Sequence, residues 1–286
     1  MDLTKVKVEA EKLGKDYKQS ALDLLARMEE VIEGIGDEPI RWKPPMLKMV
    51  QGTTDRSTIP KGSAVGDFIL GESKVEHPMN FIPLRIWEGR QFWSPDPNES
   101  KMLCSSPDGK LGYIGAYCNQ CPHSKYDEAT KKSECSKTQN VLAITPDLKQ
   151  VFITTFSKTN YQTGLELKKA VTKAGVALYR RVYALTSKTN QTYKNVENYS
   201  VETLDEKNRN SNPEILGFLR EMFDAATEDR KVNVDKFHEL ILARKESGAA
   251  LPAPEQSSNT VVLTDSSQST GDEVSTVSDL AKNYQV

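Results

Sequence analysis

The stretch that most constrains this chain runs from Cys104 to Cys135, CSSPDGKLGYIGAYCNQCPHSKYDEATKKSEC, and holds all four of its cysteines. Cys118 and Cys121 form a CxxC knuckle followed by Pro122, and Cys104 and Cys135 flank it at about thirteen residues on either side. A CxxC turn can present two thiolates to one tetrahedral Zn²⁺, and two single cysteines can complete the set. The closed loops then stand in for an apolar core too small to form alone. One structural Zn²⁺ held by Cys104, Cys118, Cys121 and Cys135 is therefore expected. His123, directly after Cys121-Pro122, is the residue placed to replace a cysteine. With four protein ligands no position is left for a substrate, so the metal is structural rather than catalytic. Two disulfides, or four unrelated thiols, are the alternatives. Disulfides need an oxidising compartment. Residues 1–20 are charged throughout and lack a secretory pattern, so a reducing, cytoplasmic location is expected.

At 286 residues the chain has room for one large domain or two small ones. Mean hydropathy is −0.57, which suits a chain with long solvated stretches, and no apolar run approaches the ~20 residues that span a bilayer. The net charge of −2 taken alone argues against nucleic acid, but the charge is unevenly spread. Residues 61–200 carry nineteen Lys and Arg against thirteen Asp and Glu. From Gly248 onward Glu255, Asp265, Asp272, Glu273 and Asp279 face only Lys282. The pattern is a mildly basic body with an acidic tail.

Taken in order, residues 3–33 read as one amphipathic helix, with Leu13, Tyr17, Ala21, Leu24, Met28 and Ile32 on one face. It belongs to an N-terminal unit, 1–37, that packs on the core or joins copies of the chain. Residues 38–60 read as a linker rich in Pro, Gly and Thr. A β-rich core over 61–203 follows. GDFIL (66–70) is a short strand, and NFIPLRIW (80–87) alternates, with Ile82, Leu84 and Ile86 on one face and Phe81, Arg85 and Trp87 on the other. A turn is expected at Glu88-Gly89. NVLAI (140–144) and QVFITTF (150–156) flank Thr145-Pro146-Asp147, a hairpin signal. Residues 162–174 read as a helix closed by Gly175, 176–185 as the strongest strand, and 192–201 as its partner. Asn212-Pro213 opens a C-terminal helical segment, 211–247. Residues 248–286, rich in Ala, Pro, Ser and Thr, read as a disordered tail, and its last eight residues as a short docking motif. Short strands with one helix between them suit a small barrel better than a sandwich, while periodicity alone leaves another all-β or α+β arrangement open. The expected fold is α+β, an OB-like barrel with an inserted four-cysteine zinc segment at 104–135 and helices at both ends.

Catalytic patterns are absent: the chain has no P-loop, HExxH, G-x-S-x-G or dinucleotide fingerprint. His77, His123 and His238 have no evident nucleophile partner. A binder rather than an enzyme is expected. The binding signal is aromatic and basic residues interleaved on strands, since unpaired bases stack on rings while Lys and Arg follow the backbone. Tyr179, Arg181 and Tyr183 share one face of the 176–185 strand, Arg85 and Trp87 repeat the arrangement, and Phe152, Phe156 and Lys158 give a third version. Ser-Lys-Thr-Asn occurs at 157–160 and again at 187–190, so Lys158 and Lys188, on loops at one barrel end, would both reach phosphates. For Phe152, Phe156 and Trp87 the other reading is plain core.

A β-rich core with an inserted cysteine zinc site, aromatic-basic strands and an acidic tail resembles the single-stranded DNA-binding (helix-destabilising) proteins of tailed bacteriophages. The runs GDFILGES, NFIPLRIWEGRQFW and GAYCNQCP also look like a phage protein group. The resemblance is one of arrangement over roughly residues 61–203 plus the tail. The T-even type differs in using one His with three Cys and in a denser acidic tail. The resemblance implies single-strand binding in phage replication or recombination, in the host cytoplasm, with replication or recombination proteins meeting the tail. A rival reading is a zinc-stabilised interaction factor: a transcription regulator docking on RNA polymerase, or a phage structural component.

Overall fold

The computed structural model describes residues 2–29, 31–32, 40–41, 43–52, 54, 58–75, 77–95, 101–129, 133–189, 197–204 and 212–247. The expected tail, 248–286, and its docking motif lie outside the described residues. Helices Thr4–Lys12 (α1) and Lys15–Glu29 (α2) open the chain. Strands Val31–Ile32 (β1), Ile40–Arg41 (β2), Met46–Met49 (β3), Phe68–Leu70 (β4), Ser73–Val75 (β5), Met79–Trp93 (β6) and Met102–Ser106 (β7) follow. Cys135–Ile144 (β8), Val151–Ser157 (β9), helix Tyr161–Ala174 (α3), strands Tyr183–Thr189 (β10) and Glu197–Thr203 (β11), and helix Pro213–Ser247 (α4) complete it. The class is α+β, with a sheet curled into a half-barrel.

The sheet runs β11-β10-β6-β8-β9-β3-β4-β5, and β7 lies beside β6. The axis is β6. Its first residues pair with β10 (Phe81↔Tyr183), its last with β7 (Phe92↔Cys104), and β8 follows its other edge from Ile82 to Phe92. A bulge falls between Pro83 and Arg85, where Leu84 has no partner in the β8 ladder, beside a proline with no N–H to give it. It reverses the alternation. Phe81 lies in the core inside the curl and Ile82 and Leu84 in the core outside it, yet Ile86 packs against the inside again. Ile82, Leu84 and Ile86 therefore do not share a face as simple alternation predicts. Nor does Gly89 turn the chain. It pairs with Thr138 in mid-strand, where an added Cβ would sit 2.9 Å from the Thr138 hydroxyl.

Two cores lie on opposite sides of this sheet. The inner one gathers Phe68, Phe81, Phe152, Phe156, Tyr183 and Tyr199 and is closed by Leu167 of α3. Gly164 lets α3 approach, since a Cβ there would come within 2.6 Å of Gln139 Cβ. Gly175, in the left-handed conformation, ends that helix as expected. The outer core joins Val6 and Ala10 of α1, Leu24 and Leu25 of α2 and Ile215, Phe218, Leu219 and Met222 of α4 to Ile82, Leu84 and Ile144. Asn212 caps α4 by accepting the Glu214 N–H at 2.9 Å, with Pro213 as its first residue.

Three further expectations are corrected. The helix 3–33 is two helices, because Leu13 is extended and Gly14 donates its N–H to Glu214 of α4 at 3.0 Å instead of continuing the helix. The linker 38–60 contains β2 and β3, and β3 is held between β9 and β4 with Leu47 and Met49 buried. The strand 176–185 begins only at Tyr183. Leu178–Arg180 close a 3₁₀ turn, and Tyr179 leaves the sheet to pack on Phe223 of α4 at 5.7 Å between ring centroids.

Candidate nucleic-acid interface and cysteine segment

Between β6 and β8 the chain makes an excursion of some forty residues that carries Cys104, Cys118 and Cys121 and ends at Cys135. Cys104 on β7 and Cys135 at the start of β8 are both cross-strand partners of Phe92, one on each side. The knuckle is a tight turn. Tyr117 C=O accepts the N–H groups of Gln120 and Cys121, and the Ser124 hydroxyl donates to the carbonyls of Cys118 and Cys121. Gly112 keeps space for sulfur, since a Cβ there would lie 2.9 Å from Cys104 Sγ and 4.0 Å from Cys118 Sγ. All four cysteines are buried free thiols, so the two-disulfide alternative has no counterpart in the structure.

Burial pushes the thiols of Cys104 and Cys118 up, and that of Cys135 to about 11; the neighbouring cysteines add to each shift. Among the described residues, no group of three or more His, Cys, Asp or Glu side chains stands in metal-holding geometry. His123 is engaged elsewhere: its ring stacks on Phe92 at 4.3 Å and its Nδ1 meets Glu134 at 2.5 Å. The donor set suits a soft divalent ion, and a feature beside it fits a metal tetrathiolate of net charge −2. Arg90 acts on Cys118 and Cys135 to lower their thiol pKa values, and its Nε is buried with no hydrogen-bond partner.

The residues expected to bind nucleic acid are dispersed. Phe152 and Phe156 are 0% exposed and Tyr183 is 1% exposed, so all three are core side chains with no ring face to offer. Tyr179 packs on α4, and Arg181 is half-buried off the strand. Lys158 and Lys188 are exposed, but Lys188 lies within β10 rather than on a loop; the two Ser-Lys-Thr-Asn stretches each touch Tyr199 of β11, Asn160 by accepting its N–H at 2.7 Å and Ser187 as its strand partner. Arg85 and Trp87 share the outer face of β6, both half-buried. Trp87 is capped by α4, whose Arg230 guanidinium lies 4.5 Å from the ring centroid. Farther along, α4 reaches the cysteine segment, with Phe237 6.2 Å from Tyr113 and His238 Nε2 3.2 Å from an Asp108 carboxylate oxygen.

Two features were missed. Among the described residues the exposed aromatic rings are Tyr117, 48% exposed, and Tyr126, 64% exposed, both on the cysteine segment near exposed Lys110 and Lys125. Lys110, Tyr117, Lys125 and Tyr126 interleave aromatic and basic residues in a loop, whereas the interleaving noted in the sequence falls on strands, where rings turn inward. Arg230 gave no sequence signal, because its partner Trp87 is far away in the chain. Comparisons with protein-family models, curated proteins and solved structures find no match for this chain.

Proposed function

We propose that the chain binds single-stranded nucleic acid without catalysing a reaction on it, using an OB-type barrel braced by one structural Zn²⁺. The observation that carries this is the order β11-β10-β6-β8-β9 with α3 between β9 and β10. Counted from β6, it follows the OB order 5-4-1-2-3 with a helix between the third and fourth strands. The departure is β3, which pairs in parallel with β9 at the edge where an OB barrel closes on its fifth strand. In OB folds the connections between strands 1 and 2 and between strands 4 and 5 flank the oligonucleotide-binding face. Here the first of these is the cysteine segment. The second follows β10, whose exposed Lys188 lies next to it.

On this reading Zn²⁺ held by Cys104, Cys118, Cys121 and Cys135 gives the first arm a fixed shape, with Arg90 offsetting the thiolate charge. Tyr117 and Tyr126 stack on bases, and Lys110, Lys125, Lys158 and Lys188 meet phosphates. A place in phage DNA replication or recombination follows from the resemblance in arrangement. A second reading, an interaction factor, draws on Val232, Leu240 and Leu242, which α4 leaves exposed.

A fluorescence titration with oligo-thymidylate and matched duplex at several salt concentrations tests the proposal. The full chain should prefer the single strand. Tyr117→Ala and Tyr126→Ala should each weaken that binding by about 1–3 kcal/mol with an unchanged salt slope. Absence of single-strand binding by the unaltered chain would refute it and favour the interaction factor.

A further inference from the structure

Where α4 crosses β6, two cations meet, and among the described residues neither forms an ion pair. Arg85 and Trp87 lie on the outer face of β6, in register with Leu142 and Asn140 of β8. Arg230 reaches down from α4, lays its guanidinium on Trp87 and gives one N–H to the Pro107 carbonyl. Arg85 Nη1 is buried with no hydrogen-bond partner, and so is the hydroxyl of Thr227, one turn before Arg230 on α4. Buried donors are normally satisfied, and each exception calls for an explanation. Burial and then the charge of Arg85 bring Arg230 down to about 10, while burial alone lowers Arg85. Asp108 is the carboxylate that acts on Arg230, but it also accepts the Lys110 N–H and the Ser106 hydroxyl and faces His238.

We infer that Arg85 and Arg230 form a binding site for one phosphate oxyanion between the sheet and α4, with Thr227, one turn before Arg230 on α4, as a further orphaned donor. Planar guanidinium forks match the oxygens of a phosphate and can each bond it twice. A dianion or phosphodiester there supplies acceptors for the orphaned donors and removes the repulsion between the two cations. Because Trp87 lies against Arg230, a strand whose phosphate occupies the site would run past an indole face. The backbone of a single strand is thus the occupant that the setting favours, and in that respect the inference rests on the proposed single-strand binding. Free phosphate shares the chemistry.

The full chain serves for the test. Inorganic phosphate, compared with chloride at equal ionic strength, should raise its Tm, and Arg85→Gln or Arg230→Gln should remove that rise. In oligo-thymidylate titrations each variant should flatten the slope of log affinity on log salt by about 0.7, the value for one phosphate on a single strand. Arg230→Lys keeps the charge without the fork, so it should retain the slope while losing part of the phosphate-specific rise. Should Arg85→Gln not fold, Arg230→Gln decides by the same two readouts. Oligonucleotide binding with unchanged slopes and no phosphate-specific rise would overturn the site and leave single-strand binding standing. A phosphate-specific rise lost in the variants, in a chain that ignores oligo-thymidylate, would keep the site as one for free phosphate and overturn single-strand binding.

Discussion

Tyr183 packs its ring 5.9 Å from that of Phe81, inside the curl of the sheet and opposite it in the β10–β6 register. Its phenol is held above the ordinary tyrosine range by burial, with Arg181 opposing. Such a side chain acts on stability before it acts on any ligand. Tyr183→Ala should destabilise the chain by about 3–5 kcal/mol, as large-to-small changes of buried aromatics do. Chemical denaturation checks the size of the loss, and a titration at a temperature where the variant stays folded checks the rest. Single-strand affinity should then match that of the unaltered chain. A fully stable variant with weakened binding would restore Tyr183 to the interface. The same contrast separates Phe152 and Phe156 from Tyr117 and Tyr126. Residue type and neighbours look alike in the two groups, and only the strand or loop setting tells a ring in the core from a ring in solvent.

At the level of elements, what was legible depended on how local the signal was. The β8–β9 hairpin was readable because Thr145-Pro146-Asp147 turns between two alternating runs, and its ladder runs from Ile144↔Val151 to Thr138↔Ser157. Gly175 marked the end of α3 for the same kind of reason. The bulge after Pro83, the short β3 and the 3₁₀ turn at Leu178–Arg180 depend on partners far away in the chain, namely β8, β9 and Phe223, which no window of sequence displays. The cysteine segment stands between these cases. Its spacing leads one to expect a common role for the four thiols, while the flanking of Phe92 by Cys104 and Cys135 came only with the sheet. If the segment is built on a metal, purified protein should contain about one Zn²⁺ per chain. Cys118→Ser and Cys121→Ser should each lower zinc content and Tm together, because ligand binding energy there is folding energy. Elemental analysis of protein prepared without chelators, finding no zinc, would return the four cysteines to the role of buried thiols.

Across the whole molecule α4 is the element that ties the parts together. Its first turns complete the outer core, its middle covers Trp87 with Arg230, and Phe237 and His238 contact the cysteine segment. The chain beyond it, residues 248–286, carries five carboxylates against one lysine. If the chain binds single-stranded nucleic acid as proposed, this acidic stretch, which follows α4 in the sequence, competes with the phosphate backbone for the same cations. Deleting residues 248–286 should therefore leave Tm unchanged and tighten single-strand binding. The gain should be largest at low salt and fade near 0.15 M, where the Debye length falls to about 8 Å. Measuring both chains along one salt series makes the comparison direct. A truncated chain with a lower Tm would make the tail part of the fold, and a gain independent of salt would mean that the tail blocks the face by bulk rather than by charge.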